Sequence, residues 1–494
     1  MEFAYQQLSS EGISLVENKQ FAVECRVNDL TYDDVKRILY LDGVGVVDGY
    51  DVIGKEVKFT GKINYRLSYV DQEDVVKTLS YSCDFAESIS SDKINQTDKI
   101  IVDCEVVSVG SSGMDIVRLT SNVKVKAYKI YENALSVLAP TKENCYCKTE
   151  KATVDNYVTT LVNSFTIEEE ENIGKFDEIL ALDSNIILLN TKCEDNKITL
   201  SGECYVNATY RVGTDVFTKR FTLPFTEEVE GACDESCSCY AKLYLENTKV
   251  VAKDNDEDLK LRINAAFRAV IFKPNEYEVV NDMYSMSNKL ELKKEKINVC
   301  SFGGYGCFSE RISGESAIDD LSSKEIIGVI CPKNVISSVN YDGQSSVIRG
   351  VITACLLYKQ ENNVCSINIE SAYEKEVDEA LTDLTMITGK VCEITARKKS
   401  DSEIIIDATV KYCYEKRNIQ ELEAVVEAEE NGAIDAKNNA ISIIVIDKQK
   451  TFFEVAKTLL TTPEELERQN PNLVEPLKLG DKLYYYRKLS RNYG

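Results

Sequence analysis

The residues able to do chemistry in this chain are cysteines, carboxylates and a short aromatic and basic run near its C-terminus. Cys233, Cys237 and Cys239 sit together in the acidic turn Glu230–Ser238, and Cys145 and Cys147 form a second close pair. Thiolates so spaced could ligate zinc, but neither group has the paired C-x2-C spacing of a structural zinc site, so free thiols and no metal are expected. Ser301-Phe-Gly-Gly-Tyr-Gly306 is glycine-rich enough to cradle a phosphate. No Gly-Lys-Ser/Thr follows it and no helix opens after it, so a flexible connector is expected there. Glu168–Glu171 reads as a solvated charge run.

The residues that are missing exclude more than the present ones suggest. The chain has no histidine and no tryptophan. Ser-His-Asp and Cys-His nucleophiles, histidine zinc ligation and histidine general-base catalysis are therefore closed to it. A common platform for stacking sugar rings or bases is missing as well. Carboxylates are so abundant, 82 Asp and Glu, that no pair of them marks an acid–base site. No catalytic residue and no cofactor follow from these residues, and the chain reads as non-enzymatic.

The net charge of −24 has the wrong sign for neutralising nucleic-acid phosphates or an anionic membrane, so no nucleic acid is expected as a partner. Residues 441–494 hold nine Lys and Arg against seven Asp and Glu, which gives +2 there and −26 in the remainder. No run of 18 apolar residues exists, so no membrane span is expected. Met1–Gln7 lacks a basic start and an apolar h-region, and no export signal is expected either. In a reducing cytosol most of the seventeen cysteines would be free, serving as small apolar residues inside sheets.

The elements that position these groups repeat. Thr60-Gly61…Tyr69, Ser201-Gly202…Tyr210 and Arg349-Gly350…Tyr358 each place glycine eight residues before tyrosine, and the glycines lie 141 and 148 residues apart. Val57, Phe59, Gly61, Ile63, Tyr65, Leu67 and Tyr69 share one parity, as do Ile198, Leu200, Gly202, Cys204, Val206, Ala208 and Tyr210, so each copy predicts a long strand with one buried face. In the third copy Val347, Val351, Cys355 and Leu357 make the second face apolar too, which predicts a strand covered on both sides. An aromatic with a nearby acid follows each glycine by 24, 23 and 23 residues, at Phe85, Phe225 and Tyr373. A further alternating strand closes each copy. The expected fold is mainly β: three tandem antiparallel sandwich-like modules at about 12–135, 155–285 and 290–418. Polar connections are expected near Thr141–Asn156 and Asn288–Lys296, and an acidic, partly helical linker over 419–440.

The tail reads differently. Ile441–Asp447 predicts a short strand, Thr451 with Glu454 a capping box, Thr462-Pro463-Glu464-Glu465 a second helix start, and Lys482–Arg487 a returning strand. The order is βααβ. Either Phe452 and Phe453 both belong to a very small core, or one of them joins Lys450 and Asn472 in a basic and aromatic surface beside Asn470.

Thr451-Phe-Phe-Glu-Val-Ala-Lys457, Leu466-Glu-Arg-Gln-Asn-Pro-Asn472 and Leu477-Lys-Leu-Gly-Asp-Lys-Leu483 resemble a LysM domain over nearly all of 441–488. The three upstream modules resemble SPOCS domains, the repeat of sporulation proteins from spore-forming Firmicutes, and the second copy matches that pattern best. SPOCS modules followed by one LysM resemble a family of spore-coat assembly factors. The resemblance implies a mother-cell location at the forespore surface. It also implies a LysM that docks a coat morphogenetic ATPase, with Lys450, Thr451, Phe452, Phe453, Asn470 and Asn472 in its partner-binding loops. LysM domains at large bind N-acetylglucosamine polymers, so peptidoglycan is the alternative partner; here Asp447-Lys448-Gln449-Lys450 lacks the Gly-Asp that usually precedes the threonine.

Overall fold

The computed structural model describes residues 2–113, 116–141, 145–213, 215–254, 258–361, 363–381, 386–434 and 441–486. Strand dominates it. The first module runs β1 (Tyr5–Thr31), β2 (Arg37–Ile53), β3 (Glu56–Val70), β4 (Val76–Ser90), β5 (Ile100–Ser112) and β6 (Ile116–Leu138). The second runs β7 (Cys145–Asn172), β8 (Glu178–Glu194), β9 (Lys197–Val212), β10 (Asp215–Glu230), β11 (Ser238–Asp254) and β12 (Asp258–Ser285). The third runs β13 (Asn288–Ala317), β14 (Glu325–Tyr341), β15 (Ser346–Gln360), β16 (Asn363–Val377), β17 (Ile387–Lys398) and β18 (Glu403–Ala433).

Each module pairs its strands antiparallel in the same way. The orders are β1-β6-β5 with β2-β3-β4, then β11-β12-β7 with β10-β9-β8, then β13-β18-β17 with β14-β15-β16. The repeated Gly-to-Tyr segments are the central strands β3, β9 and β15. In β3 and β9 the parity expected to be buried is buried. The tight turn into β9 is a two-residue loop in which Asp195 and Asn196 both take positive φ, at 48° and 62°, as a type I′ hairpin requires.

The glycines and the following aromatics turn out to be one device. Gly61 is the register partner of Phe85, Gly202 of Phe225 and Gly350 of Tyr373. Each ring lies over its glycine, where any Cβ would strike it. The carbonyls of Val46, Ile187 and Val335 crowd the same Cβ position as closely, and a register shift follows within a few residues in β2, β8 and β14. Lack of a side chain lets the bulged neighbour and the aromatic share one place.

The modules do not end where their sequence suggests. The outer strands continue past each sandwich as two-stranded ribbons, β1 with β6, β7 with β12 and β13 with β18. Leu8, Val137, Ala152, Val154, Val279, Val299, Leu422 and Ala424 from all three ribbons form one core. The expected connections at Thr141–Asn156 and Asn288–Lys296 are therefore strand from Cys145 and from Asn288 onward. The expected linker is strand β18 as far as Ala433, pairing with β13 from Asn288. Glu and Ala are strong helix formers, which invites a helical reading. The governing signal is period two: Leu422, Ala424 and Ala428 are buried while Glu421, Glu423, Glu427 and Glu429 are exposed. Lys296 meets Glu421 across the ribbon at 2.8 Å. Residues 435–440 of that expected linker lie outside the described residues. The Ser301–Gly306 segment, expected to be a connector, is also inside β13. It forms a break in the ladder between Phe302 and Tyr305, with Gly304 at φ +95°.

At the other end the modules meet again. Tyr40 of β2, Ala181 of β8, Ile330 of β14, and Cys355 and Leu357 of β15 make a small shared core. This covers part of the second apolar face of β15. Polar contacts surround it. Asp183 accepts from the Cys331 backbone N–H at 2.7 Å and Lys333 pairs with Asp42 at 2.6 Å. Between the first two modules, buried Asp103 of β5 is held by Lys242 at 2.6 Å and Arg268 at 2.9 Å, from β11 and β12.

Candidate functional site, a docking face on the C-terminal unit

The tail folds as β19 (Ile441–Val445), α1 (Phe452–Leu459), α2 (Pro463–Gln469) and β20 (Lys482–Tyr486), with β19 and β20 paired antiparallel. Both helix starts form as their residues dictate. Thr451 Oγ1 accepts from the Glu454 N–H at 3.3 Å while the Thr451 N–H donates to Glu454 Oε2 at 2.8 Å, a complete capping box. Thr462 Oγ1 accepts from the Glu465 N–H at 3.0 Å, with Pro463 at the first helical position.

The six residues expected to bind a partner divide into two groups. Lys450 and Thr451 lie in the loop before α1, and Asn472 is exposed in the loop after α2. The two loops come together: Lys450 and Leu477 exchange backbone hydrogen bonds at 2.9 and 3.2 Å. Lys450 also pairs with Asp447 at 2.6 Å, and this contact holds the Asp447 carboxyl below its usual range. Phe452 and Phe453 are both buried, so neither ring joins Lys450 and Asn472 at the surface. The reason is that α1 is covered twice. Phe452 belongs to the unit's own core with Ile446, Leu466 and Leu477. Phe453 packs edge-on against Tyr284 of β12, ring centroids 5.2 Å apart. Asn470 is buried as well. Its amide donates to the Leu466 and Tyr484 carbonyls, both at 2.7 Å, and accepts from the Tyr484 N–H at 2.8 Å. It stitches α2 to β20.

The unit is seated on the second module. Besides the Phe453 contact, Lys457 bonds both carboxylate oxygens of Asp282 at 2.7 and 2.8 Å, and Tyr284 stacks on Tyr146. Burial pushes the Tyr284 phenol well up, so it stays a neutral donor.

This seating turns one face of the small sheet outward. Ile441, Ile443 and Val445 are 59, 61 and 57% exposed, and their register partners on β20 are Tyr486, Tyr484 and Lys482. Tyr484 and Tyr486 are exposed too. Five large apolar side chains thus form a contiguous surface on a two-stranded sheet, a patch of the kind that marks an interaction site. The two sheet edges differ. Beside β20, Asn470 and the Gln469 side chain occupy backbone groups of Tyr484 and Tyr486, Gln469 at 2.7 and 3.1 Å. β19 has no ladder partner but β20 among the described residues, which leaves its other edge open to an added strand. The sequence of β19 announces a strand but not an exposed face. The signal available was Ile441, Ile443 and Val445 at period two, in a unit with only two strands and two short helices to cover them.

The other candidates resolve as follows. Cys193 of β8 joins Cys233, Cys237 and Cys239 in the second module's core region. None of the seventeen cysteines is in a disulfide. Among the described residues no group of three or more His, Cys, Asp or Glu is arranged to hold a metal ion. Glu168 pairs with Arg262 at 2.5 Å on an exposed stretch of β7. No helix among the described residues is long and apolar enough to cross a membrane.

No curated protein matches the chain at significance. Residues 175–253 match the family model described as SipL, SPOCS domain. That segment spans β8 to β11, the strands between the second module's two ribbon strands, and includes the Gly202–Phe225 pair. Over residues 175–253 the second module is thus similar to the SPOCS domain of the SipL family.

Proposed function

We propose that the chain is a non-enzymatic assembly scaffold of the spore envelope, in which three SPOCS modules form an acidic body and a LysM-like C-terminal unit captures a coat morphogenetic ATPase at the forespore surface. The modules carry the reading: one matches the SipL SPOCS family model, and the other two repeat its strand order and its glycine–aromatic device. The proposed contact is the exposed face of Ile441, Ile443, Val445, Tyr484 and Tyr486 with the open β19 edge. Lys450, Thr451 and Asn472 form a polar margin. Apolar side chains flanked by polar loops suit a protein surface, because the patch gains by desolvation and the margin fixes orientation. Seating on Tyr284 restrains the unit, so the partner meets a surface already oriented relative to the body.

The test is a pull-down from purified components: full-length chain against the coat-forming ATPase, with the 441–494 deletion alongside. Capture should be lost with the deletion. Capture that persists would move the contact into the SPOCS modules.

A second reading is favoured by one observation, the meeting of the loops before α1 and before β20 through Lys450 and Leu477. In LysM domains these loops bind N-acetylglucosamine polymers. Sedimentation with peptidoglycan separates the two readings: pelleting of the full chain that is abolished by Asn472→Ala but indifferent to Ile443→Asp would establish the glycan one.

A further inference from the structure

Cys307 of β13 and Cys413 of β18 are direct register partners in the antiparallel ladder. Opposed residues in such a ladder hold their Cα atoms roughly 4.5–5.5 Å apart, inside the span of about 4.4–6.8 Å that a disulfide bridges. The two thiols are close enough to shift each other's ionisation. Cys307 is partly accessible and Cys413 is buried. We propose that Cys307 and Cys413 are a modification site, an oxidisable dithiol that a hydroperoxide converts to an intramolecular disulfide.

The order of events follows from the environment. The adjacent Cys413 thiol holds Cys307 below the ordinary thiol range, while the Cys307 sulfur and burial hold Cys413 above it. Cys307 is then the nucleophile. Its thiolate attacks the terminal peroxide oxygen, the O–O bond breaks, and Cys307 becomes a sulfenic acid while the leaving alkoxide, or hydroxide from hydrogen peroxide, takes up a proton. Cys413 gives up its proton and attacks the Cys307 sulfur. The S–O bond breaks and the oxygen leaves as water. In sum, two thiols and one hydroperoxide yield a disulfide, water and the corresponding alcohol, or a second water when the oxidant is hydrogen peroxide.

The place of the pair gives the bond a consequence. It lies just beyond the ladder break between Phe302 and Tyr305, where β13 passes from the ribbon to the third sandwich. A bridge there would fasten β13 to β18 at the third pair past the break and close a loop of about a hundred residues, a length at which cross-links restrain the unfolded chain strongly. Cys307 also approaches the Leu188 carbonyl of the second module, and Lys411 nearby pairs with Glu203 at 2.6 Å, so the fastening sits at the boundary of two modules.

Full-length protein treated with hydrogen peroxide, alkylated and digested should yield a peptide two hydrogen masses lighter that joins residues 297–311 to 412–416. Fragmentation should place the link at Cys307 rather than Cys300. The thermal unfolding midpoint should rise on oxidation and fall back with reductant. In Cys307→Ser, Cys413 should stay alkylatable after peroxide and the midpoint should not rise. A Cys413 link to Cys392 instead, or unchanged Cys413 oxidation in Cys307→Ser, would overturn the proposal. Should Cys307→Ser fold poorly, Cys392→Ser serves as the second variant: the 307–413 link must survive it, and its loss would refute the direct pairing.

Discussion

The hydroxyl of Tyr284, near the end of strand β12, donates to the Thr461 carbonyl just after helix α1, at 2.6 Å and out of contact with solvent. One residue of the second module thereby joins the core of the C-terminal unit, with Phe453 edge-on to its ring and Tyr146 stacked on it.

Tyr284→Ala should release the unit from the body without unfolding the modules. The loss combines a net hydrogen bond of about 1 kcal/mol with ring contacts of about 0.5–1.5 kcal/mol. Hydrogen exchange should quicken at Thr461 and along α1 while the core of β9 stays protected. Equal protection in both proteins would show that the seating contributes nothing.

Phe452 and Ile443 should behave in opposite ways. Phe452→Ala removes a core ring, costs about 3–5 kcal/mol and should unfold the small unit. Ile443→Asp changes a side chain that is 61% exposed, so circular dichroism and the unfolding midpoint should hardly move. Binding to the ATPase should nonetheless fall steeply. If Ile443→Asp binds as well as the unaltered chain, the outward face is not the contact.

Gly202→Ala should destabilise the second module by at least the roughly 1–3 kcal/mol of an overpacked site, since the new methyl meets both the Ile187 carbonyl and the Phe225 ring. Trimming the ring with Phe225→Leu should not rescue it, because the carbonyl contact is untouched. Denaturant titration of both variants reads this directly.

Asp183 predicts a pH dependence of defined sign. Burial pushes its carboxyl from 3.8 up to about 6, outweighing the Cys331 donors. The folded state therefore binds the proton more tightly than the unfolded chain. The resulting contribution is full below the unfolded value and is lost as pH rises to about 6, some 3 kcal/mol in all at about 1.4 kcal/mol per unit. Asp183→Asn should flatten the stability profile between about pH 4 and pH 6 and be more stable than the parent at neutral pH. Asp103 opposes this at lower pH. Lys242 and Arg268 outweigh its burial and hold it below the carboxylate range, so its contribution is present above that range and fades on further acidification. An unchanged profile in Asp183→Asn would assign the dependence elsewhere.

Much of this architecture was legible because the repeat is written in side-chain parity. The glycine–tyrosine spacing located β3, β9 and β15, and the tail's capping residues located α1 and α2. What escaped were relations between distant segments. Glu421–Glu430 reads as solvated until β13 is placed beside it, since only pairing shows which alternate residues face Leu8 and Val299. Phe452 and Phe453 read as either core or surface until Tyr284 is known to cover Phe453. The apolar face on β19 escaped for the converse reason: period two announces a buried strand face, and no local pattern says that this face is left exposed.

Strand β18 runs unbroken over 31 residues, from the third sandwich through the common core of the ribbons to Ala433, close in sequence to the C-terminal unit. Ladder hydrogen bonds stand perpendicular to the strand. Tension applied along β18 by a tethered load would therefore shear many rungs together rather than unzip them singly, and three ribbons sharing one interior would divide the strain. A chain built this way is suited to standing under sustained pull as a mechanical strut.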